Sequence, residues 1–217
     1  MHNILVIAPH PDDEVLGCAG TIRKYANKGA SVHVCIVTKA YEPEWSAEFI
    51  RNRPNEVRRV ADILGSAGVS FLDFPTVELD TVPQRDISKA ILAVIQEIKP
   101  DKLYIPHHGD LNRDHQLVHE AALVAARPTL EWSVARVLAY ETPSETEWGV
   151  APFLPNTYED ITETLQKKLE AMQVYASEVR SFPHLRSLKS LEALAIKRGS
   201  EICRGAAEAF MLLRSIQ

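Results

Sequence analysis

Cysteine is scarce in this chain. Cys18, Cys35 and Cys203 lie far apart, are odd in number and form no CxxC pair, which argues against cysteine-based metal binding or catalysis. Each falls within an apolar pattern, so all three are expected as ordinary buried thiols. Positive charge is not in excess either. There are 24 Lys and Arg against 29 Asp and Glu, for a net charge of −5, and no stretch is dense in basic residues. That balance speaks against nucleic-acid binding. No apolar run approaches the roughly 18–20 residues that a membrane span needs. The segment from Met1 to Ala8 lacks the basic n-region of a signal peptide, and the expectation is a cytoplasmic protein. Repeats, low-complexity tracts and a linker rich enough to separate a second domain are also missing.

What is present suits one sizeable domain over residues 1–217. Hydrophobic residues make up 46% of the 217, enough for a core without disulfides or obligate oligomerisation; a homo-oligomer is left open. Ile4 to Ala8 is a short continuous apolar run, as in a strand buried on both faces. Glu14 to Asn27 follows with apolar residues at helical spacing and Gly29 as its stop. The alternation continues with strands at Val32–Val37, Val69–Leu72, Lys102–Pro106 and Val134–Tyr140. Helices are expected at Arg53–Leu64, Asp86–Ile98 and Asp114–Ala126. This βα rhythm predicts an α/β fold with a Rossmann-like, doubly wound, mostly parallel sheet. Beyond Tyr140 a Pro-containing stretch leads to a C-terminal helical portion, with helices at Ile161–Tyr175 and Leu188–Cys203. Ala207–Leu213 fits strand or helix alike. This last third is expected to pack over the sheet and shape one wall of the site.

Ligands of open parallel sheets bind outside the carboxyl ends of the strands. Two polar clusters fall at such ends. His10-Pro11-Asp12-Asp13-Glu14 follows the first strand, and His107-His108-Gly109-Asp110-Leu111-Asn112-Arg113-Asp114-His115 follows the fourth. In a doubly wound order these two strands are neighbours, so the clusters should face each other across one crevice. Imidazoles mixed with carboxylates suit Zn²⁺ better than Mg²⁺, which prefers an all-oxygen shell. A catalytic zinc keeps three protein ligands and an open position. His10, one of the adjacent Asp12 and Asp13, and one histidine of the second cluster complete that count, leaving the other aspartate to take a proton from water. An HPDD string alone also suits a helix start whose acids complement the dipole; the histidine-rich partner at a second strand end favours the metal site. Asp114 is a candidate N-cap, and His119, one turn after His115, faces either the metal or the helix packing. His2, His33 and His184 read as surface or packing residues.

These residues resemble the LmbE/PIG-L family of zinc-dependent de-N-acetylases. The resemblance begins with Ala8-Pro9-His10-Pro11-Asp12-Asp13-Glu14 and continues through Arg53-x-x-Glu56, Ile63-Leu64-Gly65, Phe71 to Pro75, Leu79-Asp80 and Asp114-His115. Tyr140 to Ser144, Arg198-Gly199 and Ala207 to Phe210 extend it over nearly the whole chain. It implies His10, Asp13 and His115 as zinc ligands, Asp12 as general base, Arg53 as a substrate-binding residue and Asp80 as a contact to sugar hydroxyls. Many members read His-x-Asp-His in the third motif, where the first histidine helps stabilise the oxyanion. Asn112 stands there in this chain; its amide can donate to an oxyanion but cannot protonate a leaving amine, a role open to His107 or His108, or to Asp12 after it has acted as base. The expected activity is metal-assisted hydrolysis of an N-acyl, chiefly acetyl, group on a small amino sugar or glycoside held near Arg53, Asp110 and Asn112. Two alternatives are a Mg²⁺-dependent phosphoryl-transfer protein, disfavoured by the histidines and the lack of a GxxxxGK[ST] loop, and a metal- or sugar-binding module without turnover.

Overall fold

A computed structural model describes residues 2–129 and 132–217; Met1 lies outside them. Strand β1 (Asn3–Ala8) pairs in parallel with β2 (Ser31–Lys39) on one side and β4 (Lys102–Pro106) on the other. Strand β3 (Gly68–Pro75) extends the sheet beyond β2, and β5 (Arg136–Tyr140) beyond β4. The order β3-β2-β1-β4-β5-β7-β6 makes a seven-stranded, mostly parallel sheet of a single α/β domain. The chain reverses its direction of winding between β1 and β4, which opens a crevice at their carboxyl ends.

Alternation along β1 serves two cores at once. Ile4, Val6 and Ala8 pack on one face with helices α1 (Asp13–Asn27) and α2 (Ala47–Leu64), while Leu5 and Ile7 pack on the other with α3 (Gln84–Ile98) and α4 (Arg113–Ala125). Ile4, Leu5, Val6 and Ile7, wholly removed from water, contribute about 1.5–3 kcal/mol each, so the strand whose end carries the HPDD motif is anchored from both sides. Helix α1 lies very close to the sheet: a Cβ added at Gly17 would meet the Tyr140 ring at 2.3 Å. The Tyr140 hydroxyl in turn donates to the Ile7 carbonyl at 2.9 Å.

Several boundaries differ from the sequence expectation, each for a local reason. Helix α2 begins at Ala47, not Arg53, because Ser46 caps it by accepting from the Phe49 N–H at 3.2 Å. Pro54, a good first-turn residue, instead sits inside the helix and forgoes one backbone bond. The stretch before Arg53 is thus partly helical, and Arg53 lies in its second turn. Helix α5 (Leu165–Val174) starts later than Ile161, since residues 162–164 form a turn held by Thr162 and Asp160. Helix α6 (Leu188–Ser200) ends before Cys203, which leaves that thiol exposed in the following turn rather than buried; Cys18 and Cys35 are buried as expected. The C-terminal third is not only helical. Strand β6 (Thr157–Asp160), absent from the sequence reading, and β7 (Ala207–Ser215) close the sheet antiparallel beside β5. No helix among the described residues is long and apolar enough to cross a membrane.

Between α1 and the C-terminal elements lies a buried ion pair. Lys168 Nζ donates to Glu208 at 2.6 Å and to the Leu16 carbonyl at 2.8 Å, and Glu208 accepts from the Gly20 and Thr21 N–H groups at 3.0 and 2.8 Å. The pair thereby ties the middle of α1 to α5 and β7.

Candidate metal centre and active site

The β1–α1 junction positions the first cluster. Pro11 and a positive φ of 131° at Asp12 turn the chain sharply after His10. A non-glycine residue there costs of order 1–3 kcal/mol, a strain held by the double-sided anchoring of β1 and by α1, whose Val15 N–H bonds the Asp12 carbonyl at 2.9 Å. The second cluster enters from the start of α4. Asn112, rather than Asp114, caps that helix: its Oδ1 accepts from the Asp114 N–H at 3.0 Å. Asp114 is freed to accept from the Val77 N–H at 2.7 Å and from His10 Nε2 at 2.9 Å.

His10 Nδ1, Asp13 Oδ2 and His115 Nε2 form a triangle with sides of 3.2, 3.2 and 3.3 Å. A tetrahedral zinc shell with ligand distances of about 2.0–2.1 Å has edges of roughly 3.3–3.4 Å, so the donors fit such an ion without rearrangement. They are also the three residues grouped as able to hold a metal among those described. The nitrogens turned away from the triangle are both engaged. His10 Nε2 donates to Asp114, and His115 Nδ1 donates to Asp110 Oδ2 at 2.8 Å. Carboxylates behind imidazoles fix the tautomer and raise ligand basicity.

Charge in the cluster favours a cation at its centre. Burial opposes charge on His10, yet hydrogen bonds to Asp114 and Asp13 overcome it and lift its pKa to about 9. Burial is likewise outweighed at His115, which the Asp13 charge and the Asp110 bond raise to about 10. Asp13 is pulled well below the usual carboxylate range by the charges and hydrogen bonds of the two histidines, despite its burial. Asp12 behaves oppositely: burial and then the Asp13 charge push it upward, against the nearby Arg186. Glu14 is raised to about 7 by burial, although it accepts from the Tyr175 hydroxyl at 2.6 Å and the Asp12 N–H at 3.0 Å. The adjacent carboxylates Asp12 and Asp13 are thus driven apart, one toward the proton and one away from it.

A cavity of about 430 Å³ opens beside the cluster, with His10, Asp12, Arg53 and Asn112 among its lining residues. Arg53 is buried; it donates to Glu178 at 2.6 Å and Ser177 at 3.0 Å, faces Glu56 at 3.3 Å and covers the Phe49 ring at 4.2 Å. The helix-surface pair with Glu56 and a position on the cavity wall are therefore both realised. Two expected contacts fall elsewhere. Asp110 is fully buried behind His115, where it also accepts from the Thr146 hydroxyl at 2.6 Å; a carboxyl spent on those two bonds does not reach a sugar. Asp80 is exposed on a short 3₁₀ turn (Leu79–Thr81) and is not part of the cavity lining. Neither His107 nor His108 lines the cavity; His107 is buried with Nε2 against the Ala151 carbonyl at 3.2 Å. His119 bonds the Pro106 carbonyl at 2.8 Å, which fits its packing role.

Sequence reasoning missed Arg186. It reaches the site from the segment between α5 and α6, donating to Asp12 at 3.1 Å, Ser144 at 2.6 Å and the carboxylates of Glu178 and Glu145 at 3.4 Å each. Pro183-His184-Leu185-Arg186-Ser187 carries no periodicity, and nothing in its composition marks the arginine. The C-terminal third does shape a wall of the site, through Glu178 and Arg186.

Fold and site together define an α/β protein with a three-donor group that could hold a metal ion at the switch point of its sheet. The chain belongs to the PIG-L: GlcNAc-PI de-N-acetylase family, whose profile matches residues 5–126. It is 30% identical to the diacetylchitobiose deacetylase of Thermococcus kodakarensis, over 81% of this chain and 69% of that protein. Among solved structures, the conserved protein TT1542 from Thermus thermophilus superposes with a TM-score of 0.82 at 25% identity, covering 100% and 97% of the two chains. The 4-carboxy-2-hydroxymuconate hydratase of Pseudomonas putida superposes nearly as well, with a TM-score of 0.81 at 23% identity over 100% and 98%. That hydratase shows the shared fold alone, and a fold does not fix a reaction; the reaction has to be argued from the side chains.

Proposed function

We propose that this protein is a metal-dependent N-deacetylase that hydrolyses the acetamido group of a small amino sugar or glycoside. The observation that carries the reading is the 3.2–3.3 Å donor triangle of His10, Asp13 and His115, each imidazole buttressed by a carboxylate, with Asp12 on the adjoining cavity wall. A zinc-type ion held by these three residues would supply Lewis-acid polarisation and acidify a water molecule at neutral pH. Asp12 is the general base: its carboxylate takes the proton of the attacking water and afterwards returns it to the departing amine. Two roles in one group suit a carboxyl whose proton affinity is raised by burial and the Asp13 charge and checked by Arg186. Asn112 has its amide oxygen committed to the helix cap, which leaves the NH₂ end to donate to the developing oxyanion. Arg53 orients the sugar from the opposite wall. The names of relatives that act on acetylated chitobiose, glucosaminyl malate and inositol glycosides support the substrate class.

Two imidazole donors disfavour the all-oxygen Mg²⁺ chemistry of a phosphoryl-transfer protein. A binding module without turnover is separated by experiment. Amine release is measured from a panel of N-acetylated sugars before and after chelation, and again after Zn²⁺ is restored. The expected result is turnover that chelation abolishes and zinc recovers. Turnover indifferent to chelation, or none with any sugar after zinc loading, overturns the reading.

A further inference from the structure

The cavity has an apolar end that the His10–Asp13–His115 cluster does not use. Trp45, Phe49 and Ile50, around the N-terminus of α2, line it together with Ile36 and Phe71 from β2 and β3. Trp45, Phe49 and Ile50 belong to neither hydrophobic core of the sheet nor to the small cluster around Ile161. Outside the cores two of these side chains have local ring contacts, Arg53 over Phe49 and Tyr41 edge-on to Trp45, and all three face the cavity; apolar walls with a few placed polar groups are what small-molecule pockets show.

The register of the sheet places this wall relative to the chemistry. Ala8, two residues before His10, pairs with Ile36, and Ile36 pairs with Phe71. Strands lie about 4.8 Å apart, so Phe71 stands roughly 10 Å across the sheet from the end of β1. An acetyl group whose carbonyl lies at His10 cannot bridge that gap. A sugar ring can, and what meets the wall is then the group attached to the sugar.

Charge argues that this group is neutral. Three lining cations already face acids: Lys39 is 4.0 Å from Asp73, Arg53 2.6 Å from Glu178, and Arg186 3.1 Å from Asp12. The remaining arginine of the lining, Arg58, is exposed and donates to Asn55 at 3.2 Å; an ion pair to such a solvated cation is worth only about 0–1 kcal/mol. We propose that the cavity end formed by Trp45, Phe49, Ile50 and Phe71 is a subsite for a neutral apolar aglycone, aryl or alkyl, borne by the amino sugar. The proposal rests on the deacetylase reading for the position of the acetamido group.

The test uses the full chain loaded with Zn²⁺ and two readouts. Calorimetric titration compares methyl, hexyl, phenyl and carboxyphenyl glucosides, which carry no acetamido group and report binding alone. Amine release compares kcat/KM for the same glycosides of N-acetylglucosamine, N,N′-diacetylchitobiose, and a methyl glycoside bearing an N-hexanoyl group. Both readouts should favour hexyl and phenyl over methyl by about 30-fold, the scale expected for burying a group of that size. Phe49→Ala and Trp45→Ala should each cut that ratio about fivefold while thermal unfolding shows both variants folded. Equal values for methyl, hexyl and phenyl, with amine released from all three, overturn the subsite and leave the deacetylase reading standing. Binding of hexyl glucoside without amine release from any sugar supports the subsite and overturns the reading. A preference for carboxyphenyl over phenyl shows that the wall takes an anion and overturns the proposal. So does a preference for N-hexanoyl over N-acetyl, or for diacetylchitobiose over the phenyl glycoside, since either assigns the wall to the acyl chain or to a second sugar.

Discussion

Replacing Asp110 with asparagine separates two roles that its sequence position leaves confounded. Its place in the second polar cluster suggests a sugar contact, whereas its burial and its bond to His115 Nδ1 place it behind an imidazole that the proposed function assigns to the metal. Loss of a carboxylate behind such an imidazole typically lowers metal affinity 10- to 100-fold, or about 1.4–2.7 kcal/mol. The local bonding selects within that range. An asparagine oxygen can still accept from His115 Nδ1, and its NH₂ then faces Thr146 Oγ1, which also accepts from the Thr142 N–H. Geometry is kept and only the negative charge is lost, so Asp110→Asn should weaken zinc about tenfold, near 1.4 kcal/mol. Asp110→Ala, which removes the acceptor as well, should approach 100-fold. Competition against a chelating indicator dye reads the metal affinity, and steady-state kinetics at saturating zinc read the substrate. The KM for the acetylated sugar should not change in Asp110→Asn. Wild-type zinc affinity combined with a raised KM would refute the reasoning and return Asp110 to the substrate.

Three further substitutions test other parts of the site and fold. Asp12→Asn should retain zinc by metal analysis and lose at least about 100-fold in kcat, the lower bound for removing a general base; zinc loss here, with activity surviving in Asp13→Asn, would reverse the two assignments. Arg53→Lys keeps a charge opposite Glu178 but gives up the planar fork, so kcat/KM should fall by roughly tenfold, the worth of one charged hydrogen bond, at unchanged zinc content. Unaltered kinetics would leave Arg53 a structural partner of Glu178. Lys168→Met strands the buried Glu208 carboxylate, which keeps only the Gly20 and Thr21 N–H donors. Breaking a buried pair by removing one partner costs about 3–5 kcal/mol, and a melting temperature lowered by some 6–20 °C should follow. A shift under about 2 °C would show that the two backbone donors suffice.

How much of this was legible depended on whether a residue's position follows from its own neighbours in sequence. Continuous apolar runs announce buried parallel strands, and β1, β2 and β4 lie close to where those runs place them. Once the strand order is granted, HPDD and the histidine-rich cluster have to meet, because each sits directly beyond a strand end and the two strands are adjacent. Local competition between signals was harder to read. The helix is expected from Arg53, while the Ser46 cap sets the actual start six residues earlier. Asp114 is the expected cap of α4, two residues after Asn112. The structure gives that task to Asn112, because Asp114 is drawn to His10 and to the Val77 N–H.

The residues that sequence could not supply meet the site across long separations without sitting at a strand end or in a motif. Arg186 meets Asp12 across 174 residues, Glu178 meets Arg53 across 125, and Tyr175 meets Glu14 across 161. All three come from the segment around the end of α5, so they act together on the HPDD loop and the α2 wall. That shared origin has a consequence for the site. The three donors of the triangle sit at the ends of β1, α1 and α4, which the two hydrophobic cores hold directly, whereas Glu178 and Arg186 come from residues 176–187, of which Val179 alone packs against a hydrophobic core. Disturbing the 176–187 segment should therefore alter the surroundings of Asp12 and Arg53 before it disturbs the His10–Asp13–His115 triangle. Arg186, with four oxygen partners on three parts of the chain, is the residue through which that effect would pass.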